Sequence, residues 1–137
     1  MKRVRLAWLA VVVVAGLLLA WGTSDLPAAA ADTITVGPAA NGSSRCLHRG
    51  DLLVVRLRSN PSTGYAWRVS SGARGVLLLV GCVYVAPEDG LLGAPGTAVL
   101  RFRARGTGKT VLRLAYTRSW EKGVAPARTF TLRVTVV

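Results

Sequence analysis

The sequence predicts an all-β fold, an immunoglobulin-like antiparallel β-sandwich of about seven strands. Two observations predict it. From Asp32 onward, apolar runs of strand length succeed one another, separated by Gly, Pro, Asn and Ser, with no stretch of helical period. In the last three runs apolar and polar residues alternate, as in sheets that pack one face and wet the other. A small closed β-barrel is the alternative arrangement of the same strands.

Residues 33–36 read as a short first strand, and residues 37–50, with Pro38, Asn41-Gly42 and Ser43-Ser44, as a loop. The second strand, residues 51–58, places Leu53, Val55 and Leu57 on one face. The third, residues 65–69, begins with Tyr65 and Trp67, which share a face because they are two apart. The fourth, residues 76–85, is apolar throughout, and Gly81 marks a bulge or bend within it. The fifth, residues 98–105, sets Leu100, Phe102 and Ala104 against Arg101, Arg103 and Arg105. The sixth, residues 109–117, groups Leu112, Leu114 and Tyr116 opposite Arg113. The seventh, residues 128–137, turns Phe130, Leu132, Val134 and Val136 inward and Thr129, Thr131, Arg133 and Thr135 outward.

Residues 1–31 read as a secretory signal peptide rather than as part of the fold. Lys2, Arg3 and Arg5 precede an apolar run over residues 6–21, and Ala29-Ala30-Ala31 supplies a small-residue cleavage site. That run is short for a bilayer crossing of roughly 20 residues, so contact with a membrane is expected only through an uncleaved signal. The expected location is secreted or periplasmic. Residues 32–137 then form one domain with 15 basic and 5 acidic residues, a net charge of +10. A charge of that size favours acidic partners without naming one. Cys46 and Cys82 both fall in the exported part, where a disulfide between them is the expectation and two separate buried thiols the alternative. Two cysteines and one histidine cannot by themselves supply a four-ligand zinc site, so no metal or cofactor is expected.

If successive strands alternate in direction, the loops after the second, fourth and sixth emerge at one end. These loops are residues 59–64, 86–96 and 118–127, and together they make a composite binding edge. The first carries Asn60-Pro61-Ser62-Thr63-Gly64-Tyr65. Pro61 fixes its own φ and extends Asn60, Gly64 is free to take positive φ, and the short hydroxyls of Ser62 and Thr63 can bond back to the backbone. The second loop carries Gly93-Ala94-Pro95-Gly96 and the third Arg118-Ser119-Trp120.

These three motifs, in this order, resemble the loops of the chagasin-like family of inhibitors of papain-type cysteine proteases. Asn60–Tyr65 is similar to that family's Asn-Pro-Thr-Thr-Gly-Tyr/Phe. Residues 93–96 are similar to its Gly-x-Gly-Gly, with Pro95 in place of a glycine, and Arg118-Ser119-Trp120 to its Arg-Pro-Trp, with Ser119 in place of proline. The resemblance covers the whole exported domain. It implies a reversible, non-covalent inhibitor whose partner is a papain-like cysteine protease. By carry-over, Asn60, Pro61, Ser62, Thr63, Gly64 and Tyr65 enter the cleft near the catalytic centre. Gly93, Ala94, Pro95 and Gly96 take one wall and Arg118, Ser119 and Trp120 the other.

Three other readings compete. An enzyme would have to use His48, the single histidine, with acids drawn from Asp32, Asp51, Glu88, Asp89 and Glu121. No nucleophile elbow, metal cluster or phosphate-cradling loop accompanies them, so no catalytic residue is assigned. A polyanion binder would use Arg101, Arg103, Arg105, Arg113 and Arg133 on one sheet face, but aromatic stacking platforms are not interleaved with them, so no specific nucleic acid is expected. A secreted or cell-surface binding module with another ligand would keep the fold and lose the protease. The length gives no reason for an obligate oligomer, and a monomer is expected.

Overall fold

A computed structural model describes residues 30–72 and 75–137, so the signal-peptide reading of residues 1–31 lies almost wholly outside the described residues. Among the described residues eight strands follow in order: β1 (Thr33–Val36), β2 (Ser44–Leu47), β3 (Leu52–Ser59), β4 (Tyr65–Ser71), β5 (Leu77–Val85), β6 (Gly96–Ala104), β7 (Gly108–Arg118) and β8 (Arg128–Val136). They form two four-stranded sheets, ordered β1-β3-β6-β5 and β2-β8-β7-β4, and no barrel closes.

The alternation read from sequence sets the packing. Leu53, Val55 and Leu57 of β3 lie opposite Phe102, Leu100 and Ala98 of β6, all buried between the sheets. Leu112 and Leu114 of β7 face Leu132 and Phe130 of β8 in the other sheet. Phe102 and Phe130 are the largest fully enclosed side chains. The described core runs from Val36 to Val136.

Two strand pairs depart from the antiparallel expectation. β1 runs parallel to β3, and β2 runs parallel to β8. The chain leaves β1, turns at Pro38–Ala40, and crosses to the edge of the other sheet before returning as β3. That crossing contains β2, which the sequence reading treats as loop. The segment is tied to β8 by the Gly42 N–H to the Thr131 carbonyl (2.7 Å) and by the Thr131 N–H to Asn41 Oδ1 (2.9 Å). The irregularity expected at Gly81 is present, as a register shift between Leu79 and Gly81 against β6.

The disulfide expectation is corrected. Cys46 and Cys82 are both free and exposed, neither bridged nor buried. They sit on edge strands of different sheets. Cys46 lies beside Thr135, on the side of its sheet away from Leu47 and the core, so it cannot reach across the interior. The single basic face is also corrected. Arg101 and Arg103 are exposed on β6 of one sheet, whereas Arg113 and Arg133 are exposed on β7 and β8 of the other. Their sheets turn these residues to opposite sides of the molecule.

The end from which β3 starts is closed by Asp51, one of two buried polar residues among the described ones. Its carboxylate accepts the His48 N–H at 2.7 Å and the Asp32 N–H at 3.0 Å. The His48 N–H first, then the Asp32 N–H, hold the carboxyl below its ordinary value of 3.8, and burial opposes them. Because the folded-state pKa is depressed, the stabilisation is present above the unfolded value and disappears as pH falls through the folded one. The melting temperature should therefore fall as pH drops below about 4, and Asp51→Asn should flatten that acid limb while lowering the melting temperature at neutral pH. Thermal melts of both proteins across an acid series check this. An acid limb of equal slope in the variant would remove Asp51 from the account.

Candidate functional site

The opposite end of the sandwich carries the loops that follow β3, β5 and β7. β3 ends at Ser59, and the chain then makes a single 3-10 turn at Pro61–Thr63 before β4. Pro61 supplies the φ of the first helical position and removes an N–H that would have no partner there. Asn60 caps the turn from an extended conformation, φ −129° and ψ 92°. Its Oδ1 accepts the Ser62 hydroxyl at 2.6 Å and the Ser62 N–H at 3.3 Å. The Thr63 hydroxyl donates to the Asn60 carbonyl at 2.6 Å, and that carbonyl also accepts the Thr63 N–H at 3.1 Å. Gly64 closes the turn in the left-handed region, φ +79°, which other residues resist. The loop is thus held by its own hydrogen bonds while Pro61, Ser62 and Thr63 remain exposed.

The other two loops are fastened to this one. The Asn60 side-chain amide donates to the Gly93 carbonyl at 2.9 Å, joining the first loop to the second. Arg118 Nε donates to the Thr63 carbonyl at 2.9 Å, joining the first to the third. The same guanidinium lies 4.2 Å from the Tyr65 ring centre, 5.8 Å from that of Trp120, and 3.0 Å from Glu121 Oε1. Trp120 rests on Gly64: a Cβ on that glycine would sit 2.1 Å from Trp120 Cη2. Trp120 is nevertheless 65% exposed.

Beneath the loops is an aromatic footing. Tyr65 stacks on Tyr116 at 5.1 Å between ring centres, and Trp67 meets Tyr116 at a tilt of 30° and 5.0 Å. The register that pairs Trp67 with Tyr116 across β4 and β7 creates this column. Tyr116 also accepts the Asn60 N–H at its hydroxyl, 2.8 Å, and Trp67 Nε1 donates to the Arg58 carbonyl at 3.0 Å. The sequence reading places Tyr116 with the core residues of its strand but gives it no part in the site. Its position at the loop end of an inward-facing series was the available signal. A recess of about 380 Å³ opens beside the column, and Asn60, Thr63, Pro95, Arg58 and Arg128 are among the residues that line it.

The structure therefore gathers Asn60, Thr63, Gly64, Tyr65, Gly93, Arg118 and Trp120 through direct contacts, with Pro95 at the same recess. Ser62 belongs to the first turn, whereas the Ala94 N–H bonds within its own loop, to the Leu91 carbonyl; Ser119 lies between Arg118 and Trp120, which make the third loop's contacts. Gly96 has a different position. It is buried at the start of β6, where a Cβ would sit 2.2 Å from the Val85 carbonyl, so its lack of a side chain lets β6 close on β5. His48 is at the other end of β3, 78% exposed and 3.7 Å from Asp51.

The family described as Chagasin family peptidase inhibitor I42 matches residues 46–134. Amoebiasin-2 of Entamoeba histolytica is 34% identical over 87 residues, which cover 63% of this chain and 71% of that protein. Chagasin of Trypanosoma cruzi is 33% identical over 89 residues, 62% of this chain and 81% of that protein. The crystal structure of the cysteine protease inhibitor EhICP2 from Entamoeba histolytica superposes with a TM-score of 0.70 at 28% identity, covering 77% of this chain and 96% of that one.

Proposed function

This chain belongs to the chagasin family of peptidase inhibitors, and from that premise we propose that it inhibits papain-like cysteine proteases reversibly, as an inhibitor and not an enzyme. The three-loop rim is the inhibitory edge. The observation that carries this reading is the fastening of all three loops to one another, through Asn60–Gly93, Arg118–Thr63 and Trp120–Gly64. A surface already held in one shape loses little conformational entropy on docking.

The chemistry is one of obstruction. Asn60 to Gly64 form a 3-10 turn capped by hydrogen bonds, so the peptide bonds that reach furthest out do not lie in an extended attack geometry. The Thr63 hydroxyl is engaged with the Asn60 carbonyl and offers no nucleophile. With Asn60–Tyr65 in the cleft, Gly93–Pro95 and Arg118–Trp120 meet its two walls. One chain supplies every part, so a single copy suffices for inhibition.

Steady-state titration of papain with residues 32–137 tests the proposal. The expected result is competitive inhibition that reverses on dilution, with the inhibitor recovered uncut. No inhibition of papain and of a cathepsin L-type enzyme at tens of micromolar would transfer the rim to another ligand.

An extracytoplasmic site of action accompanies this reading, supported by the basic start, the apolar run and the Ala29-Ala30-Ala31 segment. Cleavage after Ala31 would make the Asp32 nitrogen an ammonium 3.0 Å from Asp51 Oδ1, adding charge to an existing hydrogen bond. Amino-terminal sequencing of the exported protein should begin at Asp32; a start at Met1 would contradict the cleavage.

A further inference from the structure

β5 is an edge strand unlike the other edges of the sandwich. It pairs with β6 along one side, and no described strand pairs with its other side. Its residues, Leu77–Val85, include no charge and no proline. The edges β2 and β4 carry Arg45 and Arg68, and β1 is only four residues long. Charges, prolines and shortness are the usual protections against edge-to-edge pairing. β5 has only its bulge at Gly81.

The strand is also apolar on both faces. Leu79 and Tyr84 lie beside Phe102 and Ala98, towards the interior, and Leu78 and Val83 lie beside Arg103 and Val99, on the outer face. All four are between 42% and 45% exposed. A strand added to this edge must therefore be apolar on both of its own faces. β5 itself meets that requirement.

We propose that β5 is a self-association edge, along which two copies of this chain pair antiparallel and join their four-stranded sheets into one of eight. A twofold axis perpendicular to the sheets, near Gly81 and Cys82, sets inner face beside inner face and brings the two Cys82 side chains together. The copies carry like charge, yet Arg101 and Arg103 of the two β6 strands stand about three strand spacings, ~14 Å, apart, beyond the screening length of about 8 Å. The antiparallel arrangement directs the two loop rims to opposite ends. Each remains open, and the dimer carries two independent inhibitory heads.

Sedimentation velocity of residues 32–137, with both thiols reduced, should show twice the monomer mass at tens of micromolar, and the monomer mass for Val83→Lys. In a Cys46→Ser background, mild oxidation should give a covalent dimer linked through Cys82. The Val83→Lys protein should inhibit papain as the unchanged chain does, which separates failure of the dimer from failure of the rim. Because mass and cross-linking are read on an unaltered β5, a misfolded Val83→Lys would not remove the test. A reduced protein that stays monomeric at those concentrations would overturn the proposal and leave β5 to a strand of another protein. So would a dimer that yields no Cys82 link or survives Val83→Lys in a folded protein.

Discussion

Trp120→Ala is expected to raise the inhibition constant against a papain-like protease by about ten- to a hundredfold, mostly through faster dissociation. The indole is large, 65% exposed, and supported from below by Gly64 and from the side by Arg118. An exposed aromatic already held in place has area to bury and little entropy to lose, the combination that concentrates binding energy in a few residues. Its exposure also means that truncation should leave the melting temperature of the free domain nearly unchanged. The expected signature is therefore a large loss of affinity with an intact fold, read by stopped-flow association and dissociation together with a thermal melt. Unchanged dissociation would deny Trp120 its anchoring role.

Gly64→Ala should have an effect of similar size by a different route. The residue has φ +79°, so any side chain there is strained by about 1 kcal/mol. The added Cβ would also occupy space 2.1 Å from Trp120 Cη2, which forces the indole off its seat. One methyl group thus loosens the first loop and displaces the anchor of the third. Inhibition should weaken by about tenfold or more, and combining Gly64→Ala with Trp120→Ala should cost less than the sum of the two, because each removes the same contact. Full additivity in that cycle would show that Gly64 and Trp120 act separately.

Strand parity makes much of this site readable in the sequence. The period-two alternation in β6, β7 and β8 placed those strands within about two residues of their observed limits. Counting strand directions put the three loops at one end, where the structure has them. β2 escaped because its four residues are flanked by Pro38, Gly42 and Gly50, so no alternation could accumulate. Parity also separates inside from outside without saying which sheet a strand joins. For that reason the arginines of β6, β7 and β8 read as one face and occupy two, and Cys46 and Cys82 read as partners although they sit in different sheets.

The contacts that unify the rim were illegible for a related reason. Tyr116 and Asn60 are 56 residues apart, Arg118 and Thr63 are 55 apart, and Asn60 and Gly93 are 33 apart. A motif displays the residues of its own loop, but the register between β4 and β7 decides that Tyr116 reaches Asn60 and that Arg118 reaches Thr63. Pro95 and Ser119, where the second and third loops depart from the family's motifs, lie outside these fastenings. The rim is assembled by contacts that neither residue supplies.

The central claim is that the three loops act as one docking surface. Amide hydrogen exchange of residues 32–137, alone and with a saturating papain-like protease, tests it most directly. The account predicts new protection in all three loops, 59–64, 86–95 and 118–127, with the outer faces of both sheets unchanged. Protection confined to one loop, or located on β5 or a sheet face with the rim still exchanging freely, would contradict it.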